Sequence, residues 1–425
     1  MNVPPVEEQF RRIIEDCFRR EAGTSGRLPE DAADLLECGA LDSMGWVSFI
    51  RGIESASGAP DLGARLAERT PSFMNILEVL RDDLPATDLE RPGHSGEAGN
   101  QGILSALCAG SAAALGSRRV PSEEVDRAFG MPEGKLRGRA GIESLAYASD
   151  GESELTLGAD AMQAALQAAG CGAQELDWIV ATSETHHNYP SLAAQLHSRL
   201  LVRENCGALD VGGACLGLFN AMQVAQALIG SGQAKAVAVV SADVHSRTLT
   251  PDRVPGEFGG LFGDGASAFL LRAADRETVG YRLRSFLFGC AGQYASAIRV
   301  SDARGGGLAL QFDGEALSRA AITRMEKVIS AVELRSGISR RDVGGFATHQ
   351  PNPRLVALLA KQCGVSPAVF PAVARTAGNL GPSTCGVALH KALEGSKETN
   401  HKPIFLASLG PGLVFGGGWL DFGKA

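Results

Sequence analysis

A cysteine, a histidine and an asparagine in this chain each stand where a regular element gives way to a loop, and side chains of these three types can together run chemistry at a thioester. Cys215 lies in residues 207–217, Gly-Ala-Leu-Asp-Val-Gly-Gly-Ala-Cys-Leu-Gly, between a strand-like run (Ala208, Leu209, Val211) and a helix-like run from Leu216 to Leu228. The unpaired N–H groups of a helix start favour thiolate over thiol and can hold the oxyanion formed when the thiolate attacks a carbonyl. That setting predicts a low thiol pKa and fast alkylation. His349 follows an apolar run over 343–347 and precedes a helical pattern of Leu355, Val356, Leu358 and Leu359, while Asn379 precedes another over 387–393. Catalytic groups are commonly mounted on such loops. Each residue alone has a plainer reading: free cysteines are mostly buried small apolar residues, a histidine after a strand is often structural, and an asparagine beside glycine marks a turn.

Taken with the segments around them, the three positions resemble the ketoacyl-ACP synthase III family of the thiolase superfamily, whose members carry a Cys-His-Asn triad. The resemblance covers residues 100–425 and rests on five ordered matches: Cys215, His349 in His-Gln-Pro-Asn, Asn379 in Gly-Asn, Leu-Phe-Gly-Asp-Gly-Ala-Ser-Ala at 261–268, and Gly-Pro-Gly-Leu-Val-Phe-Gly-Gly-Gly at 410–418. The chain departs from the pattern at Gly212 and Gly213, where alanines are usual, and at Leu-Gly-Pro-Ser after Asn379, where the family more often has Thr-Ser-Ala. The loop behind the asparagine is therefore expected to have a different shape.

The resemblance implies that Cys215 is the acyl-accepting nucleophile and that the backbone N–H groups of Cys215 and Gly412 form an oxyanion hole. His349 and Asn379 would donate hydrogen bonds to the thioester oxygen of a malonyl-type acceptor, stabilising the enolate left when carbon dioxide departs. Attack of that enolate on the acyl-enzyme is a decarboxylative Claisen condensation giving a β-ketoacyl thioester. With an alcohol or amine acceptor the same residues would transfer the acyl group without condensation, His349 then acting as general base. A catalytically idle docking platform is a third reading, and the intact triad speaks against it. Arg139, Arg253 and Arg354 fall where the family places arginines around the mouth of its pantetheine tunnel, to meet CoA phosphate or an acidic carrier helix; solvated surface arginines are the alternative. Lys135 stands roughly where such enzymes often pack a tryptophan on adenine, which favours a carrier-bound donor over acyl-CoA. Tyr189 resembles the loop residue that reaches across the family's homodimer to close the partner's acyl pocket, or it is a simple turn residue.

A second candidate site lies far upstream. Residues 36–50 read as a loop ending at Asp42-Ser43 and opening a helix whose apolar positions Met44, Val47, Phe49 and Ile50 suit one buried face. This resembles the Asp-Ser-Leu/Met signature of acyl and peptidyl carrier proteins, whose serine carries 4′-phosphopantetheine; a bare N-cap serine is the other reading. Val6, Phe10, Ile13, Ile14 and Phe18 form an amphipathic segment before it, and residues 70–80 resemble a carrier's short last helix. A phosphopantetheinyl transferase is then an implied partner of Ser43, and the swinging arm would deliver a thioester to a buried cysteine.

Length and composition agree with two parts. At 425 residues the chain exceeds a usual single domain, and the Pro, Gly and polar content of residues 84–101 is that of a linker. We expect a carrier-like all-α four-helix domain over 1–86, a linker over 87–101 and a synthase III-like domain over 102–425. Strand-like runs at 178–182, 235–241, 266–271 and 403–408, interleaved with helical stretches at 158–169 and 315–332, read as α/β layering. The resemblance implies the superfamily's five-layer fold, two βαβαβαββ-type halves meeting near residue 275. A hydrophobic fraction of 44 % with only 6 % aromatics suits buried strands and close-packed helices. The net charge of −8 and the lack of a basic, aromatic-interleaved patch speak against nucleic acid. Nine cysteines without CxxC spacing indicate neither zinc nor a disulfide framework. No apolar run of about 18 residues suggests a membrane span, and the first residues lack signal-peptide features, so a cytoplasmic setting is expected.

Overall fold

The computed structural model describes residues 6–22, 34–37, 41, 43–57, 62–66, 70–82, 105–275, 277–292, 298–302, 308–312 and 314–424. Its contacts divide the chain into two compact units, Met1–Arg91 and Pro92–Ala425. The expected linker, Asp42, and the side chains of Val6, Phe10, Ser43 and Met44 lie outside the described residues.

The first unit is helical: α1 (Val6–Ala22), α2 (Ser43–Ser57), α3 (Leu62–Leu66) and α4 (Phe73–Asp82). Ile14 and Phe18 of α1, Phe49, Ile50 and Ile53 of α2, and Phe73, Ile76 and Leu80 of α4 form one core. Phe18 sits at its centre, edge-on to Phe49 at 5.9 Å and to Phe73 at 5.1 Å between ring centroids. The turn before α2 is tied in by Leu35, whose N–H donates to the Pro71 carbonyl (2.7 Å) and whose own carbonyl accepts from Leu41 (2.9 Å). Ser43 is the first residue of α2. Val47 corrects the expected buried face: it is 47 % exposed, because the core-facing stripe of α2 runs through Phe49, Ile50 and Ile53 instead.

The second unit is built on ten strands in one sheet: β1 (Ser105–Leu115), β2 (Trp178–Thr182), β3 (Gly207–Asp210), β4 (Ala236–Val244), β5 (Asp264–Ala274), β6 (Gly280–Leu283), β7 (Leu287–Cys290), β8 (Gly345–Thr348), β9 (Ile404–Gly410) and β10 (Val414–Gly423). Their order is β8-β9-β10-β6-β1-β5-β4-β2-β3, with β7 also paired to β10. The pairs β8/β9, β4/β2 and β2/β3 are parallel and the others antiparallel. The path crosses from one half to the other at β1 and β6, where Leu107 pairs with Arg282.

Helices fill three layers around this path. On one outer face lie α5 (Glu154–Ala168) and α6 (Leu192–Arg199), and on the other lies the helix over residues 314–336. Between the two sheet halves run α7 (Gly217–Gly230) and α8 (Pro382–Glu394). The alternation of β4 shows the layering: Val237 and Val239 face the central helices, while Ala238 and Val240 face α5 and α6. Both faces of β4 are buried, so it carries apolar residues throughout. This is the thiolase-like α/β fold expected from the sequence. Small residues set the helix spacing: a Cβ at Gly217 would come within 2.2 Å of Thr182 Oγ1, so α7 can begin against the end of β2 only with glycine there.

Phe219, fully buried on the first turn of α7 and 5.6 Å from the Phe286 ring, anchors this helix in the central core. Replacing Phe219 with Ala should destabilise the second unit by about 3–5 kcal/mol, read as a lower midpoint in denaturant unfolding. A change of under about 1 kcal/mol would show that α7 is held elsewhere.

Candidate active site

The end of β9 ties two of the three sequence-predicted residues together. The Ala407 carbonyl accepts the backbone N–H of His349 (3.2 Å), which follows β8 directly. The next residue, Ser408, donates its hydroxyl to the Cys215 carbonyl (2.8 Å). Two residues on, a Cβ at Gly410 would stand 3.2 Å from the Gly213 carbonyl and 3.6 Å from the Cys215 nitrogen. His349 and Asn379 are joined through Gly381, whose backbone hydrogen-bonds the His349 side chain and whose N–H donates to Asn379 Oδ1 (3.0 Å).

Cys215 sits in a single tight turn, Ala214–Leu216, immediately before α7. The turn needs Gly213, which has φ +135° and whose Cβ would lie 2.3 Å from Asn220 Nδ2. The departure from alanine at Gly213 thus has a local cause, while nothing in the structure explains the one at Gly212. Ala214 also adopts a left-handed φ of +46°, a conformation that costs a non-glycine residue roughly 1–2 kcal/mol and holds the cysteine at the helix start. The expected low thiol pKa is corrected here. Burial pushes the Cys215 thiol well above its ordinary value, and the carboxylates of Glu184 and Asp243 act in the same direction. The residue's own backbone N–H works against them but does not prevail.

His349 is 7 % exposed, and burial holds its pKa down at about 4 against the upward pull of Glu184 and the Gly381 hydrogen bond. It is therefore neutral near pH 7 and a weak base, which counts against the general-base role that an alcohol acceptor would ask of it. Its Nδ1 is buried without a hydrogen-bond partner among the described residues.

Asn379 is strapped to the Leu261–Gly263 segment by its own backbone. Its N–H donates to the Leu261 carbonyl (2.8 Å) and its carbonyl accepts from Gly263 (2.9 Å). Its side chain has one allowed orientation: the Gly381 N–H can only donate, and the Thr384 hydroxyl, which already accepts from the Leu380 N–H, donates to the same oxygen at 3.3 Å. The amide NH2 is left as a free donor among the described residues. Asp264 fixes the neighbouring turn, accepting from Ala148, the Ser246 N–H and the Ser246 hydroxyl.

Two further groups, Glu184 and His245, escaped the sequence reading. The Glu184 N–H donates to Asp243 Oδ1 (2.7 Å), and its carboxylate pairs with His245 Nε2 at 3.2 Å. A charged residue two positions beyond an apolar strand was the available signal.

The other sequence candidates sit at the surface of this unit. Arg139 and Arg354 lie on adjoining segments: Arg354 donates to the Gly138 carbonyl (3.0 Å), and a Cβ at Gly141 would meet Pro353 at 3.2 Å. Arg253 is half-buried and donates to the Thr248 carbonyl (3.1 Å). Lys135, at the expected adenine position, is paired with Glu257 just beyond Arg253. Tyr189 is 96 % exposed on the loop before α6. Gly412 follows β9 in a turn with φ +77°. Ser43 belongs to the other unit.

A raised thiol pKa makes alkylation of Cys215 base-dependent. Iodoacetamide should label exposed Cys290 ahead of Cys215 at pH 7, and the Cys215 rate should climb as pH rises beyond 9, followed by peptide mapping. Preferential labelling of Cys215 at pH 7 would contradict this electrostatic account.

Comparison with known proteins agrees with this geometry. The family described as 3-oxoacyl-[acyl-carrier-protein (ACP)] synthase III matches residues 209–292, and its C-terminal part matches 334–422. The beta-ketoacyl-[acyl-carrier-protein] synthase III of Roseobacter denitrificans is 31 % identical over 323 residues, which span 74 % of this chain and 98 % of that protein. Among solved structures, the 3-oxoacyl-[acyl-carrier-protein] synthase III of Aquifex aeolicus superposes with a TM-score of 0.67 at 23 % identity, covering 74 % of this chain and 99 % of its own. The priming beta-ketosynthase of the R1128 polyketide biosynthetic pathway gives 0.68 at 24 %, covering 76 % and 98 %. Fold, site segments and sequence relatives converge: the chain belongs to the beta-ketoacyl-[acyl-carrier-protein] synthase III family of thiolase-superfamily condensing enzymes.

Proposed function

We propose that this chain is a carrier-fused acyl-thioester condensing enzyme in which Cys215 takes an acyl group from a thioester and passes it to a malonyl-type acceptor. The observation that carries the reading is the pair of neutral hydrogen-bond donors, His349 and the oriented Asn379 amide. Such a pair suits a thioester oxygen that becomes an enolate, because neither group must change its protonation state as negative charge builds. The thiol proton must leave before attack, since burial disfavours a resting thiolate. Once formed, the thiolate attacks the donor carbonyl, and the backbone N–H groups of Cys215 and Gly412 receive the oxyanion. The donor thiol departs and leaves acyl-Cys215. The acceptor thioester then loses carbon dioxide, its α-carbon attacks the acyl carbonyl, and the C–S bond to Cys215 breaks, releasing the Cys215 thiolate and giving a β-ketoacyl thioester.

In the same reading, residues 1–86 act as the carrier, 87–101 as its tether and 102–425 as the synthase. Ser43 holds 4′-phosphopantetheine, added by a phosphopantetheinyl transferase, and acyl-carrier or acyl-CoA thioesters are the substrates. Arg139, Arg253 and Arg354 would meet the carrier or the CoA phosphates. The Lys135–Glu257 pair occupies the expected adenine position and favours a carrier-borne donor. Exposure of Tyr189 supports a homodimer in which this residue closes the partner subunit's acyl pocket. No helix among the described residues is long and apolar enough to cross a membrane.

Removing one of two oxyanion donors typically costs about 100- to 1000-fold in rate. His349→Ala and Asn379→Ala should each lower condensation by that order while acyl-Cys215 accumulates, as followed by intact-protein mass spectrometry and product assay. Condensation at the wild-type rate in either variant would remove the assigned role. Incubation with CoA and a phosphopantetheinyl transferase should add the pantetheine mass to the wild type and not to Ser43→Ala; gain in both, or in neither, would exclude Ser43 as the attachment site.

A further inference from the structure

Glu184 and His245 form a pair that the condensation mechanism above does not use. His245 is 3 % exposed in its side chain, and both ring nitrogens face acceptors: Nδ1 meets the Gly263 carbonyl at 2.9 Å and Nε2 meets Glu184 Oε1 at 3.2 Å. Only the doubly protonated ring can donate to both. Burial opposes that charge, yet Glu184, Asp243 and Asp264 raise the His245 pKa to about 9. Glu184 is thus the hydrogen-bond partner of a buried imidazolium. Glu184, Asp243 and His245 bring potential ligand atoms within 4.8 Å of one another. His245 has no nitrogen lone pair left for a metal, and the Asp243 oxygens already accept from Ser183, Glu184 and Ser383.

The pair adjoins the acyl site. A Cβ at Gly381 would fall 1.9 Å from Glu184 Oε1 and 3.1 Å from His245 Cε1, and Gly381 is the residue that orients Asn379 and bonds His349. Here the sequence departs from the family's more usual serine, and glycine leaves the room that the carboxylate fills. The Glu184 charge is felt at Cys215 and at His349. Its side chain is 19 % exposed, and Oε2 has no hydrogen-bond partner among the described residues. One carboxylate oxygen is anchored and the other is open.

We propose that Glu184, positioned by His245, is a general base that lets the same site transfer the Cys215-bound acyl group to the hydroxyl oxygen of an alcohol. In this step Glu184 takes the hydroxyl proton, and the oxygen attacks the acyl carbonyl carbon. The C–S bond then breaks, the sulfur leaves as thiolate, and the proton on Glu184 returns to it, giving an ester and the Cys215 thiol. Decarboxylative condensation needs no such base, because carbon dioxide leaves in place of a proton. His349 keeps its place in this step as a neutral hydrogen-bond donor, and Glu184 supplies the base.

This proposal rests on the reading of Cys215 as the acyl-bearing nucleophile, and the test separates the two. The full-length chain is acylated with an acyl thioester, then offered 1-butanol or the more acidic trifluoroethanol, and both acyl-Cys215 and free ester are quantified by mass spectrometry. General base catalysis typically contributes about 100-fold or more, so Glu184→Gln should lower butyl ester formation about 100-fold more than it lowers Cys215 acylation. Trifluoroethanol should narrow that gap, since it needs less help in losing its proton; a merely structural defect would affect both alcohols alike. His245→Gln should reproduce the Glu184→Gln pattern in weaker form. Acyl-Cys215 without ester in the wild type, or equal losses with the two alcohols, overturns the proposal while leaving the nucleophile in place. Failure to form acyl-Cys215 overturns both.

Discussion

The end of strand β9 is the constraint on which this site depends. Ala407 and Ser408 are neighbours on one extended strand: the Ala407 carbonyl lies in the plane of the sheet, toward the end of β8, while the Ser408 side chain stands out of that plane. The Ala407 carbonyl fixes the backbone of His349, and the Ser408 hydroxyl fixes the carbonyl of Cys215. Cys215 and His349 are 134 positions apart in the sequence, and they meet because both halves of the fold deliver a loop to this strand end. Burial of all seven residues of β9 keeps the strand from shifting. The strained turn at Gly213 and Ala214 is affordable only because the surrounding core over-determines it.

Low dielectric and fixed dipoles do the rest. Burial moves Cys215 and His349 toward their neutral forms, one by raising a thiol pKa and the other by lowering an imidazole pKa. A site of neutral donors lets charge appear during the reaction rather than before it, which is the condition under which the proposed hydrogen bonds from His349 and Asn379 would stabilise a transition state more than a ground state. Glu184 and the His245 imidazolium are kept as a hydrogen-bonded pair, consistent with the cost of burying a charge alone.

Cys215, His349 and Asn379 stood out as candidates in the sequence because each lies in a contiguous loop motif flanked by apolar runs whose period marks strand or helix. Strands β2, β4, β5 and β9 and the helices at 154–168 and 314–336 were legible for the same reason, with ends that moved by a few residues, whereas the long strands β1 and β10 were not. The charge state of Cys215 was not legible: a helix start is local, whereas the burial and the carboxylates that outweigh it arrive from β2, β4 and the loops behind them. Glu184 and His245 were hidden likewise. They are 61 positions apart, and they meet because Thr182 and Ser241 are in register on adjacent parallel strands. Val47 was misplaced because a run of apolar residues at a helix start fits more than one face, and only packing against Phe18 and Phe73 selects it.

The central claim is that an acyl group rests covalently on Cys215 between donor and acceptor. Peptide mapping by mass spectrometry, after a brief incubation of the full-length chain with an acyl thioester and again after addition of a malonyl thioester, tests it directly. The account predicts an acyl mass on the peptide bearing Cys215 that disappears as β-ketoacyl product forms, and no such thioester in Cys215→Ala outside the pantetheine arm. An acyl group that settles on another cysteine, or product formed by Cys215→Ala at the wild-type rate, would contradict it.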